Sequence, residues 1–272
     1  MTNNHLPNRN IKFANVKLAG IIFALLFGLV NYPLQVQSQV ATEQNKSVVK
    51  KTKPLPDSKT VPNGRPQKRQ AGARRDGCPD LSQPRPLTAL VPEEEKTKKS
   101  IPDLANTVSD YPTFWVYMPQ RPESVKYGEF VLQDKENKTI YERKLTLPKE
   151  SGIIGIDLPK ESKYALQENN EYQWYFTLFC NEQENSSEYI YVHAWIKRIP
   201  LTSSLENQLK VLQKEDYPIN ESNQIWYDRL TIFAEKNLTN SNSHQGINAW
   251  IHLLKSIGLG ELASAPIVMI YK

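Results

Sequence analysis

Apolar positions between residues 87 and 199 come in short runs separated by turn chemistry. The runs are 87–92 (LTALVP), 112–119 (PTFWVYMP), 127–134 (YGEFVLQD), 139–148 (TIYERKLTLP), 152–159 (GIIGIDLP), 172–180 (YQWYFTLFC) and 189–199 (YIYVHAWIKRI). Runs of this length with aromatic and β-branched content predict strands. Prolines at both ends stop the second run, and the four residues 135–138 join the third and fourth at hairpin length, with Asn137 able to take a left-handed conformation. Residues 93–110 are charged and patternless, and read as a long surface loop. Beyond Pro200 the period lengthens to that of helices. Ser203 and Glu206 have capping-box spacing and open a first helix through Leu205, Leu209 and Leu212. A second is predicted over 222–236, and a third runs from near Ser243 to Gly258.

Strands without intervening helices predict an antiparallel, immunoglobulin-like β-sandwich, here followed by a small helical segment. In the run 172–180, Tyr172, Trp174, Phe176, Leu178 and Cys180 share one face, which should be the core. Gln173, Tyr175, Thr177 and Phe179 share the other. Leu166 lies six residues before Tyr172 across a polar turn, the spacing of a tyrosine corner. Helices of this length are marginal alone, so the expectation is that they pack together or cover an outer face of the sandwich.

Composition divides the chain further. Arg9, Lys12 and Lys17 precede a 13-residue apolar core at 18–30, too short to span a bilayer comfortably, and Val36-Gln37-Ser38 suits cleavage after Ser38. Residues 1–38 therefore read as a signal peptide, and no transmembrane span is expected after its removal. Residues 39–75 have no aromatic residue and carry ten Lys/Arg against Glu43 and Asp57, the signature of a disordered basic linker. From Asp76 onward 21 basic residues face 27 acidic ones. The basic pI of about 9.0 thus belongs to the leader and linker, and specific nucleic-acid binding loses its support. The sandwich is assigned to 76–200 and the helical segment, packed on it, to 201–272.

Export to the periplasm or cell exterior makes the cysteine count legible. Cys78 and Cys180 are the only two, and an oxidising compartment favours their pairing; two buried free thiols are the alternative. Catalytic chemistry is thin: no zincin, nucleophile-elbow, phosphate-loop or dinucleotide motif occurs, and no cofactor is expected. His193 is out of phase with Ile190, Val192, Ala194 and Ile196, and reads as a surface residue. The one functional signal is aromatic. Tyr175 and Phe179 lie opposite the core face, beside Tyr189, Tyr191 and Trp195, a candidate face for binding sugar rings or another protein.

The segments DGCP (76–79), LTALVPE (87–93), PTFWVYMP, EFVLQD (129–134), IIGIDLP (153–159), YQWYFTLFCN (172–181) and AWIKRI (194–199), with WYDRL (226–230) and AWIHLLKSIGL (249–259), resemble the largely cyanobacterial family called domain of unknown function 928. That resemblance implies an extracytoplasmic location and transfers no catalytic residue. The reading that results is a non-catalytic, exported module that binds protein or polysaccharide at the cell envelope. The alternative is an envelope hydrolase at the sandwich–helix junction, using His193, Tyr191 and Glu188.

Overall fold

The computed structural model describes residues 69–71, 78–82, 84–93, 105–181, 188–214, 223–239 and 244–272. All of them fall within one unit, Thr52–Lys272. The expected signal peptide and most of the expected linker lie outside the described residues.

Among the described residues, nine strands form two sheets. The first takes the order β1 (Thr88–Ala89), β3 (Thr113–Met118), β6 (Gly152–Asp157), β9 (Ile267–Tyr271). The second takes the order β2 (Asn106–Thr107), β8 (Tyr189–Arg198), β7 (Glu171–Phe179), β4 (Tyr127–Asp134), β5 (Thr139–Thr146). The inner pairings are antiparallel, as the run of short strands predicts. One outermost pair of each sheet, β2–β8 and β6–β9, is parallel, so each sheet is mixed. Two strands escape the sequence pattern: β2 lies in the stretch read as a loop, and β9 follows Pro266 at the chain's end.

The sheets meet through aromatic rings. Phe114 of β3 stands 4.8 Å from Phe130 of β4 and 5.5 Å from Trp174 of β7, centroid to centroid. Tyr172, Trp174, Phe176, Leu178 and Cys180 are all buried, which makes the predicted core face of β7 the centre of the molecule. On the opposite side of β3, Trp115 lies over Gly155 of β6. A Cβ there would stand 3.0 Å from the indole, so any larger residue requires the Trp115 ring to shift by a few tenths of an ångström.

Local chemistry sets the turns. Asp134 Oδ1 accepts the amides of Glu136 and Lys138, and Asn137 takes φ 65°, closing the β4–β5 hairpin as expected. The tyrosine corner is present: Gln167 N–H donates to the Tyr172 hydroxyl at 2.8 Å. Arg198 locks that corner from outside, donating to Leu166 O at 2.5 Å and pairing with Asp110 at 2.6 Å. Cys180 at the end of β7 is disulfide-paired with Cys78, Cα atoms 5.1 Å apart.

Among the described residues three helices follow: α1 (Ser203–Lys214), α2 (Trp226–Thr239) and α3 (His244–Ser256). The cap of α1 falls one residue earlier than the capping-box reading, with Thr202 Oγ1 accepting Leu205 N–H at 3.3 Å. α3 ends as predicted at Gly258. There φ is 72°, and bonds from Leu259 N to Leu254 O and from Gly258 N to Lys255 O complete a Schellman turn.

Among the described residues the main contacts between helices and strands fall on β2 and β3. β1 pairs with Val116 and Tyr117 of β3. α2 packs against β3, and against β2 on the facing sheet. Tyr227 reaches Phe114 with ring centroids 5.7 Å apart, and Thr231 Oγ1 accepts Trp115 Nε1–H at 3.1 Å. The Tyr227 hydroxyl accepts Trp174 Nε1–H at 2.7 Å and donates to Trp195 O at 3.1 Å. Burial holds this phenol neutral, well above its ordinary range.

The fold also begins earlier than the linker reading allows. Gln70 bridges to Thr88, and Ala71 N–H donates to Leu87 O. Arg69, 9% exposed, donates to Ile257 O at 2.7 Å, at the carbonyl end of α3. That carbonyl end carries the negative pole of the helix, which suits a guanidinium.

Candidate functional site

Period two places side chains of the five-stranded sheet alternately inside and outside. The cross-strand pairs Gln173↔Trp195, Tyr175↔His193, Thr177↔Tyr191 and Phe179↔Tyr189 therefore form four successive rungs on the outer side of β7 and β8. Every residue of the predicted aromatic face lies on it. The rings of Tyr175 and Tyr191 are 6.4 Å apart, and those of Tyr189 and Tyr191 are 6.1 Å apart. Trp195 stands at the other end of the row, beside Gln173.

Burial grades the face. Tyr175 is 3% exposed and Phe179 7%, while Tyr189, Tyr191 and Trp195 are half-buried. Tyr175 and Phe179 thus form the floor, and the three β8 rings stand higher. His193 corrects the sequence reading. It is on the outer side but only 7% exposed, edge-on to Tyr175 at 5.2 Å.

A buried polar chain underlies the row and was not foreseen as part of a site. The Tyr175 hydroxyl donates to Gln173 Oε1 at 2.9 Å. Gln173 Nε2 in turn donates to Gln133 Oε1 at 3.2 Å and to Asn137 Oδ1 at 2.5 Å. Burial pushes the Tyr175 phenol up to about 12, with Tyr191 adding to the shift, so it stays a neutral donor. The sequence signal for this network was present: Gln133, Gln173 and Tyr175 share the outer parity once β4 and β7 are paired.

Glu188 immediately precedes β8, five residues before His193 and roughly 16 Å away at a strand's rise, too far for direct proton exchange between the two. Glu188 Oε2 instead accepts Asn181 Nδ2–H at 2.9 Å. Among the described residues no three His, Cys, Asp or Glu side chains gather as metal ligands, and no helix is long and apolar enough to cross a membrane.

Two facing mixed sheets, a disulfide tying the N-terminal approach to the central strand, and helices closing one edge define a disulfide-tied β-sandwich with a helical flank. Its distinguishing surface is an aromatic row over a buried amide network. The chain belongs to the family described as Domain of Unknown Function (DUF928), whose model matches residues 69–267. The match begins at Arg69, the residue whose side chain reaches α3. Comparison with curated proteins finds no match.

Proposed function

We propose that the protein is an exported, non-catalytic module that holds polysaccharide at the cell envelope through the outer row of β7 and β8. The observation that carries this reading is the row itself: half-buried Tyr189, Tyr191 and Trp195 on one strand, seated on Tyr175, His193 and Gln173. Aromatic faces stack on the C–H faces of sugar rings, and ring orientations fixed by a packed floor lower the entropy lost on binding. Export to the periplasm or exterior is supported by the leader pattern and by the Cys78–Cys180 pair, which is stable in an oxidising compartment.

The test is co-sedimentation of the full-length, unreduced chain with envelope polysaccharide, together with a glycan array. Tyr191→Ala with Trp195→Ala should lower retention about tenfold, the scale of an aromatic anchor. Equal retention by the double variant overturns the reading, as does a wild-type chain that retains no polysaccharide.

A further inference from the structure

We propose that a second site, distinct from the aromatic row, takes an acidic saccharide unit in a cleft at one end of the sandwich. The loop after β3 meets the end of β5 there and encloses a cavity of about 440 Å³. That size lies within the range of small-ligand pockets. Val125 and Leu147, both buried, form an apolar floor, and Tyr127, 44% exposed, stands at the wall. Arg121, Lys126 and Lys149 line the same cavity against a single lining carboxylate, that of Glu123.

Arg121 is the informative residue. Its Nε donates to Val125 O at 2.9 Å, and its Nη2 donates to Pro148 O. Both partners are neutral carbonyls. Nη1 is buried and has no hydrogen-bond partner. Burial depresses the guanidinium's pKa, opposed first by Tyr271 and then by Glu150. A half-buried cation held by carbonyls, with the Nη1 N–H donors left over, is a group whose hydrogen bonding is incomplete until an anion arrives. The loop bonds fix the fork in place, so binding requires little reordering.

The lining selects the ligand class. An inorganic oxyanion would use the cations and leave Tyr127 and the apolar floor without contacts. A neutral sugar would use the ring and floor, and leave Arg121 Nη1 unsatisfied. A sugar unit bearing a carboxylate or sulfate uses all of them, its C–H face on Tyr127 and its charge on Arg121 and Lys149.

Calorimetric titration of the full-length chain with oligogalacturonate, the matching neutral oligogalactose, sodium sulfate and an oligoglutamate of equal charge tests this. The acidic saccharide should bind at least about tenfold more tightly than the other three, the scale of a charge-assisted bond. Arg121→Gln should remove that preference. Because Arg121 also ties its own loop, Lys149→Glu on the exposed rim serves as a second variant, with a similar loss expected and no fold to disturb. Tyr191→Ala and Trp195→Ala should leave this binding unchanged, which separates the cleft from the β8 row. Equal binding of oligogalactose, sulfate or oligoglutamate overturns the proposal, and so does undiminished oligogalacturonate binding by Lys149→Glu.

Discussion

Removing one oxygen atom, in Tyr227→Phe, should cost more than any surface change in this molecule. The hydroxyl is fully buried and makes two bonds, accepting from Trp174 Nε1 at 2.7 Å and donating to Trp195 O at 3.1 Å. Phenylalanine fits the same space and keeps the ring contact with Phe114. What changes is polar satisfaction: the indole N–H of Trp174, at 0% exposure, is left without its acceptor. A buried donor stranded in this way costs about 1–3 kcal/mol, and the lost bond to Trp195 O adds about 0.5–1.5 kcal/mol. A total of about 3 kcal/mol should lower Tm by about 6–12 °C for a folded part of roughly 200 residues. The assay is urea unfolding at neutral pH followed by tryptophan fluorescence. The midpoint should fall with an unchanged m-value, which marks a change in stability rather than in the surface exposed on unfolding. A cycle with Trp174→Phe should show coupling of about 1–2 kcal/mol, since both single changes remove the same bond. A Tm shift below about 2 °C, or additive effects in the cycle, would refute the claim that this hydroxyl ties α2 to the facing sheet.

Two further outcomes follow from the same geometry. Burial pushes the Asp228 carboxyl up to about 6 from its ordinary 3.8, against the opposing pull of donors from Val108, Thr107 and Ser109. A raised acid adds stability that is fully present below about pH 3.8 and is lost as pH rises through about 6, at most on the order of 3 kcal/mol. The difference in Tm between wild type and Asp228→Asn should therefore vary over pH 4–7, and parallel pH profiles would exclude this role. The disulfide closes a separation of 102 residues, for which chain entropy gives about 4–5 kcal/mol at the upper end. Cys78→Ser with Cys180→Ser should lower the urea midpoint accordingly, and identical midpoints would show that the bond contributes nothing.

What the sequence discloses depends on whether the signal is local. The hairpin at 135–138, the Gly258 stop and the Tyr172 corner each depend on a few adjacent residues, and each stands where its residues say. The choice between Thr202 and Ser203 as cap does not, because two competent hydroxyls are adjacent and only the chain's entry angle decides. β9 is a short apolar run after broken helical periodicity, and it pairs in parallel with β6, more than 100 residues earlier in the chain. No local pattern reports such a partner. The apolar stripe of α2 shows that something covers it, but its partners, Phe114, Trp174 and the Trp195 carbonyl around Tyr227, lie 32 or more residues away in the chain and leave no local sign. Likewise, alternation places Tyr175 and His193 on the outer side, yet alternation cannot tell an outer side from an exposed one.

That last distinction sharpens what the outer row can do. If Tyr175 and Phe179 stood open, the face would be a broad apolar patch of the kind that drives self-association. Their burial instead leaves the half-buried rings of Tyr189, Tyr191 and Trp195 on a single strand. The floor beneath is fixed by the amide chain from Tyr175 through Gln173 to Gln133 and Asn137, and so ultimately by the left-handed residue of the β4–β5 turn. Trp195 is pinned separately, its carbonyl accepting the Tyr227 hydroxyl. The backbone at that end of the row is thus held from the core side by α2, while the floor is held by the hairpin. If the row binds a linear, repeating ligand as proposed, each added repeat would gain a contact without further ordering of the protein.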